Sequence, residues 1–148
     1  SAVNDDIMVE WVHNSIVGYQ DMFPDTKFDW TSYMNNGFIV MSPKHKALCK
    51  TITDFYYANE LEFKTRQHKT VKKGSDQTPI NYMIRASEHP IHFLSEKYNL
   101  QQLHIRGILN PLMAEAGWVW HFNGFDKEQR NDLMRQVWDL FKENYEVK

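Results

Sequence analysis

Apolar residues recur along this chain with more than one period, and the changes of period divide it into elements. Between residues 5 and 23 the apolar positions Ile7, Met8, Trp11, Val12, Ile16 and Tyr19 follow a 3.6-residue repeat. That spacing predicts an amphipathic helix, with Asn4 or Asp5 as its N-cap. "FPDTKFDWTSYMNN" is turn-rich, and "GFIVM", residues 37–41, is a short apolar run of the kind a buried strand shows. Ser42 and Pro43 then open a second helix, because Pro is pre-organised for the first helical position. Its apolar residues Ala47, Leu48, Ile52, Phe55 and Tyr56 share one face.

Residues 60–75 turn polar and cationic, with Lys64, Arg66, His68, Lys69, Lys72 and Lys73, and are expected to be a mobile loop. "SDQTPINYMIRASE" predicts a short helix with Ser75 or Asp76 near its cap and Pro79 in its first turn. Strands are expected at 91–94 and in "GWVWHF". The last helix has Asp126 as N-cap, Gln129 three residues on as a capping box, and an apolar face of Leu133, Met134, Val137, Trp138, Phe141 and Tyr145. Short apolar strands alternating with amphipathic helices predict an α/β layered domain, read as one domain over residues 1–148.

Composition narrows the function classes. With 42% hydrophobic and 24% charged residues in 148, the chain can build a globular core. Aromatics at 14% suggest a large core, an aromatic-walled groove, or both. A formal charge of −2 disfavours nucleic acid, including a role for the cationic segment 60–75 in binding it. The single cysteine, Cys49, excludes an internal disulfide framework and suits a reducing, cytoplasmic compartment. No apolar run approaches the ~18 residues of a membrane span, and no leader peptide is expected.

Four motifs carry candidate chemistry, each beside a plain structural alternative. Asn35, Asn36 and Gly37 make an Asn-Asn-Gly turn, which either relieves backbone strain or offers amides to sugar hydroxyls. Asp76, Gln77 and Asn81 either cap and decorate a helix start, or supply a carboxylate and amides for polyol recognition and for a developing positive charge. His121, Gly124 and Lys127, in "HFNGFDK", either end a strand or hold a metal and a phosphate. Gly124 lets backbone approach a ligand, and a lysine at a helix start is better placed with an anion beside it. The cationic segment 60–75 is either a solvated face or a lid over an anionic substrate.

Taken in order, "YMNNG", "DQTPIN", the Asn99 segment and "HFNGFDK" resemble the motifs of glycogenin-like and lipopolysaccharide-galactosyltransferase-type nucleotide-sugar glycosyltransferases. The resemblance implies a GT-A fold, a mixed, mainly parallel sheet flanked by helices. It also implies transfer of a sugar, with retained configuration, from a nucleotide-diphosphate donor such as a UDP-sugar to a glycan or other hydroxyl acceptor. It makes Asp76 and Gln77 the candidate catalytic residues and His121 the ligand of Mn²⁺ or Mg²⁺. Asn35, Asn36, Gly37, Asn81, Asn99, Gly124 and Lys127 become substrate contacts, with Lys127 on the diphosphate. Glu128 and Gln129 replace the family's Pro-Trp after the lysine, and no D-x-D motif occurs. Asn4-Asp5-Asp6 comes nearest but reads as a helix start. The chain is therefore expected to be the C-terminal part of such an enzyme, or a non-catalytic carbohydrate-binding or interaction module derived from one.

Overall fold

The computed structural model describes residues 9–27, 30–67, 76–100, 117–122 and 125–144. The chain divides into two compact units, Ala2–Phe93 and Leu94–Lys148. Each is described by itself.

Among the described residues the first unit has four α-helices: α1 (Val9–Tyr19), α2 (Lys46–Ala58), α3 (Glu60–Arg66) and α4 (Gln77–Ala86). Tight 3₁₀ turns at Gln20–Met22, Trp30–Ser32 and Pro43–His45 join them. Val12, Ile16 and Tyr19 recur at helical spacing on the inner side of α1 and meet Phe23, Tyr33, Phe63, Tyr82 and Met83 in one buried cluster. Ile52, Phe55 and Tyr56 of α2 pack on its edge, as their shared face predicts. The core is strongly aromatic: the Phe23 and Tyr82 rings stack at 4.7 Å, and Tyr19 meets Phe63 edge-on at 5.9 Å. The Tyr82 hydroxyl satisfies itself by donating to the Ile16 carbonyl at 2.8 Å. Burial pushes its pKa up to about 12.

The helix start at Ser42 and Pro43 forms as a 3₁₀ turn, in which the Ser42 N–H donates to His45 Nδ1 at 3.1 Å. Residues 60–66, expected in a mobile loop, are α3. Arg66 anchors α3 by donating to the Gly18 carbonyl at 3.0 Å and pairing in a fork with Asp21. A cation there meets the C-terminal end of α1, where the helix dipole favours it. The remainder of the cationic segment, and Asn4, Asp5 and Asp6, lie outside the described residues.

The second unit contains α5 (Lys127–Asn144) and an extended segment beside Leu100. Asp126 caps α5, its Oδ1 accepting the Gln129 N–H at 2.9 Å, as the capping pattern predicts. Leu100 and Trp120 form a single parallel bridge, with Leu100 N–H on the Val119 carbonyl at 2.8 Å and His121 N–H on the Leu100 carbonyl at 2.9 Å. Gly117 permits that approach, since a β-carbon on it would lie 2.8 Å from Leu100 Cβ. Trp120, Phe122, Phe125, Leu133 and Val137 surround Leu100.

The expectation of an α/β, GT-A-like architecture is overturned. The described residues are 65% helix and 2% strand, and they contain no sheet. Runs 37–41 and 91–94 form no strand, with Gly37 in a turn and Phe38 in a bend, and run 117–122 contributes only the bridge at Trp120. A strand exists only as one side of a pair. Apolar runs of four or five residues carry strand propensity but do not name a partner. Ile39, Val40 and Met41 are exposed by 40%, 68% and 37%, against the buried strand expected there. No described helix is long and apolar enough to cross a membrane.

Candidate functional site

The first two motifs, some forty residues apart in sequence, meet in the first unit. Asn81 joins them: its Oδ1 accepts the Met34 N–H at 2.7 Å and its Nδ2 donates to the Met34 carbonyl at 2.8 Å. The second amide hydrogen goes back one helical turn to the Gln77 carbonyl at 2.9 Å. Asn81 is 0% exposed, and all three of these bonds are to backbone. Sequence reasoning made it a substrate contact. Its burial makes it the clasp that holds the Tyr33–Gly37 turn against α4.

That clasp sets the remaining groups in place. The Asn36 N–H reaches Gln77 Oε1 through a long hydrogen bond of 3.4 Å. Asn35 Oδ1 accepts the Gly37 N–H at 2.8 Å, closing an Asx turn in which Gly37 is exposed. Asp76 occupies the N-cap position of α4, yet its carboxylate makes no capping bond to the helix. Its negative charge is instead felt by two phenols, Tyr33 and Tyr56. Burial first, with Asp76 adding to it, holds both above the ordinary tyrosine value of 10.0. Asn35, Asn36, Asp76 and Gln77 are all half-buried, at one helix mouth. A carboxylate and three amide side chains can accept from and donate to a polyhydroxylated ligand, with the half-buried Tyr56 ring near Asp76 offering an apolar face.

Behind this mouth lie residues that sequence reasoning missed. Ser15 Oγ of α1 is 2.5 Å from Thr78 Oγ1, and the Tyr33 hydroxyl is 2.7 Å from that same atom. One signal for Ser15 was present: it sits inside the apolar stripe of α1, four residues after Trp11 and four before Tyr19.

The other motif residues belong to the second unit. The His121 ring is half-buried, and its Nδ1 lies 3.0 Å from Asn99 Oδ1. A carbonyl oxygen only accepts, so Nδ1 carries the proton and Nε2 keeps its lone pair. Asn99 is 1% exposed, which suits it to orienting this ring rather than touching a ligand. Burial, and next the Arg130 guanidinium, hold the His121 pKa below the ordinary 6.5. Arg130 is itself tied to the Phe125 carbonyl at 3.0 Å. Lys127 is exposed in the first turn of α5, and Gly124 lies outside the described residues.

A neutral imidazole with a free Nε2 suits a metal, but a guanidinium beside it opposes one. Mn²⁺ and Mg²⁺ also want several oxygen ligands. Among the described residues no group of three or more His, Cys, Asp and Glu side chains comes together. Within that set His121 offers one nitrogen ligand. Trp120 and Phe122, to either side of His121, instead line an apolar groove of about 280 Å³ with Trp118, Met134, Trp138 and Phe141. From sequence the aromatics read as a large core, an aromatic-walled groove, or both.

Comparison of the chain with protein-family models, with curated proteins and with solved structures gives no match.

Proposed function

We propose that the mouth of α4 binds a sugar, and that the chain belongs to the chemistry of sugar transfer from a nucleotide-diphosphate donor to an acceptor hydroxyl. One observation carries the reading: the Tyr33–Gly37 turn and the start of α4 are held side by side by the Asn81 clasp, which gathers Asn35, Asn36, Asp76 and Gln77. Both segments carry amide side chains, and α4 adds a carboxylate, the groups that hydrogen-bond sugar hydroxyls. Asp76, the carboxylate at the N-cap position of α4, is the group for the developing positive charge of a departing glycosyl unit. Gln77, Asn35 and Asn36 hold hydroxyls. The proposal routes no step through a metal. If Mn²⁺ or Mg²⁺ takes part, His121 supplies a single nitrogen and the diphosphate most of the oxygens.

A second reading, carbohydrate binding without transfer, is favoured by the make-up of the α4 mouth. Amides and phenols are recognition groups, and Asp76 stands there with no second carboxylate among the motif residues.

Isothermal titration with UDP-glucose, UDP-galactose and the free sugars, each with Mn²⁺ and with EDTA, separates the two. Transfer predicts Mn²⁺-dependent binding of the nucleotide-sugars; binding alone predicts EDTA-insensitive binding of free sugars. Absence of heat with every probe rejects both.

A further inference from the structure

α5 carries an apolar face that stays open to solvent. Met134, Val137, Trp138 and Phe141 follow three- and four-residue steps and so share one side of the helix. With Trp118 and Trp120 they line the groove of about 280 Å³. Trp118 and Trp138 are 68% and 53% exposed, more than a packed core leaves uncovered. The same stripe continues toward the start of α5, where its steps meet Arg130 and Lys127 in place of apolar residues. Both are exposed. Counted at 3.6 residues per turn, the acids of this helix, Glu128, Asp132, Asp139 and Glu143, fall on its opposite half. Its other cations stand beside those acids: Lys142 pairs with Asp139 at 2.8 Å, and Arg135 has Asp132 and Asp139 three and four positions away. Asp126, the acid next to Lys127, turns its Oδ1 to the Gln129 N–H. Arg130 gives one hydrogen to the Phe125 carbonyl at 3.0 Å and has others to offer. One face of α5 thus passes from cationic to apolar over roughly 20 Å.

We infer that this face binds an anionic amphiphile, a medium-chain carboxylate of the fatty-acid kind, with its head at Lys127 and Arg130 and its chain in the groove. A carboxylate there takes charge-assisted hydrogen bonds and meets the positive end of the helix dipole. The groove has nearly twice the roughly 150 Å³ that accommodates a benzene ring, which is room for an acyl chain of medium length. Met134 is the flexible side chain that adapts to such a chain, and the tryptophan rings give it flat walls. A membrane surface or an acidic partner helix would call for cations along the whole border of the apolar face. Here the cations on the stripe gather at one end, which fits a ligand with one charged head. The site lies within the second unit and is independent of the sugar-binding reading, which concerns the first.

The test titrates the whole chain with hexanoate, octanoate and decanoate below their micelle concentrations, followed by ¹⁵N–¹H NMR. Decanol and decyltrimethylammonium serve as uncharged and cationic controls. The indole N–H signals of Trp118, Trp120 and Trp138 and the backbone amides of Lys127 and Arg130 should move along one binding curve. Affinity should rise with chain length, by up to about fourfold per methylene buried. Decanoate should bind about tenfold or more tighter than decyltrimethylammonium, as a charge-assisted hydrogen bond requires. Lys127→Gln combined with Arg130→Gln should abolish that preference while decanol still binds. Trp138→Ala, at an exposed position, should weaken decanoate about tenfold without unfolding the chain. The inference is overturned if decanoate moves none of these signals, if carboxylate and ammonium bind alike, or if the double variant keeps the preference. It is also overturned if vesicles of anionic phospholipid or an acidic amphipathic peptide bind this face and decanoate does not.

Discussion

Asn81 grips Met34 by both backbone groups, accepting its N–H at 2.7 Å and donating to its carbonyl at 2.8 Å. A side-chain amide here does what a neighbouring strand would do, and so the turn beside it needs no sheet. Asn81→Ala should leave buried Met34 groups unpaired and cost about 3 kcal/mol, on a scale of 1–3 kcal/mol per orphaned group. Asn81→Asp keeps the acceptor but sets a carboxylate against two carbonyls. Its loss of stability should shrink as pH falls and the carboxyl becomes a donor. Urea unfolding of both variants across pH measures this; a pH-independent Asn81→Asp defect would contradict the clasp.

The Tyr82 hydroxyl bonds the Ile16 carbonyl at 2.8 Å from a side chain that is 0% exposed. Tyr82→Phe should cost about 1–2 kcal/mol through that carbonyl. Tyr82→Ala should cost about 3–5 kcal/mol, since the stacked Phe23 ring then faces a cavity. Denaturant midpoints at unchanged slope report both. Equal losses for the two variants would deny the ring its packing role.

Arg66 holds the Asp21 carboxyl below its ordinary 3.8 by hydrogen-bonding to it. A carboxyl with a lowered folded-state value stabilises fully above its unfolded value, and that stabilisation disappears as pH falls through the folded one. The chain should therefore lose stability below about pH 4. Asp21→Asn should flatten that part of the profile, and thermal melts from pH 2 to pH 6 show whether it does. An unchanged acid limb would remove Asp21 from the account.

His121 is depressed below 6.5 by burial, so the unfolded chain binds its proton first as pH falls. Its contribution is complete above the ordinary histidine value and is lost on acidification from there through the depressed one. Asn99→Ala should release the ring from its hydrogen-bond partner. Two-dimensional NMR titration should then show the Nδ1–H tautomer of the wild type giving way to a mixture. A wild-type ring protonated at Nε2 would contradict the geometry.

Much of the helical framework was legible in the sequence. Asp126 and Gln129 mark the start of α5 at local spacing, Pro43 marks the turn before α2, and the face of Ile52, Phe55 and Tyr56 is the one that packs. That the expected strands do not form among the described residues was not legible, because an apolar run such as residues 37–41 reads alike whether or not a partner lies beside it. The two sugar-motif segments were legible as candidates. Their division of labour was not, since Asn81 and Asn99 are buried while Asn35 and Asn36 are half-exposed, and an amide carries no mark of its burial. Ser15 and Thr78 were missed because their contact spans 63 positions.

The central claim is that Asn35, Asn36, Asp76 and Gln77 form one sugar-binding mouth. Titrating ¹⁵N-labelled protein with UDP-glucose, UDP-galactose and the free sugars, and following every amide, tests it most directly. The account predicts that backbone and side-chain signals of Asn35, Asn36 and Gln77 move together along one binding curve. It further predicts that Asp76→Asn and Gln77→Ala each weaken that curve about tenfold or more, as expected for losing a hydrogen bond to a bound ligand. Signals at these residues that stay still at saturating concentrations of every probe would contradict it.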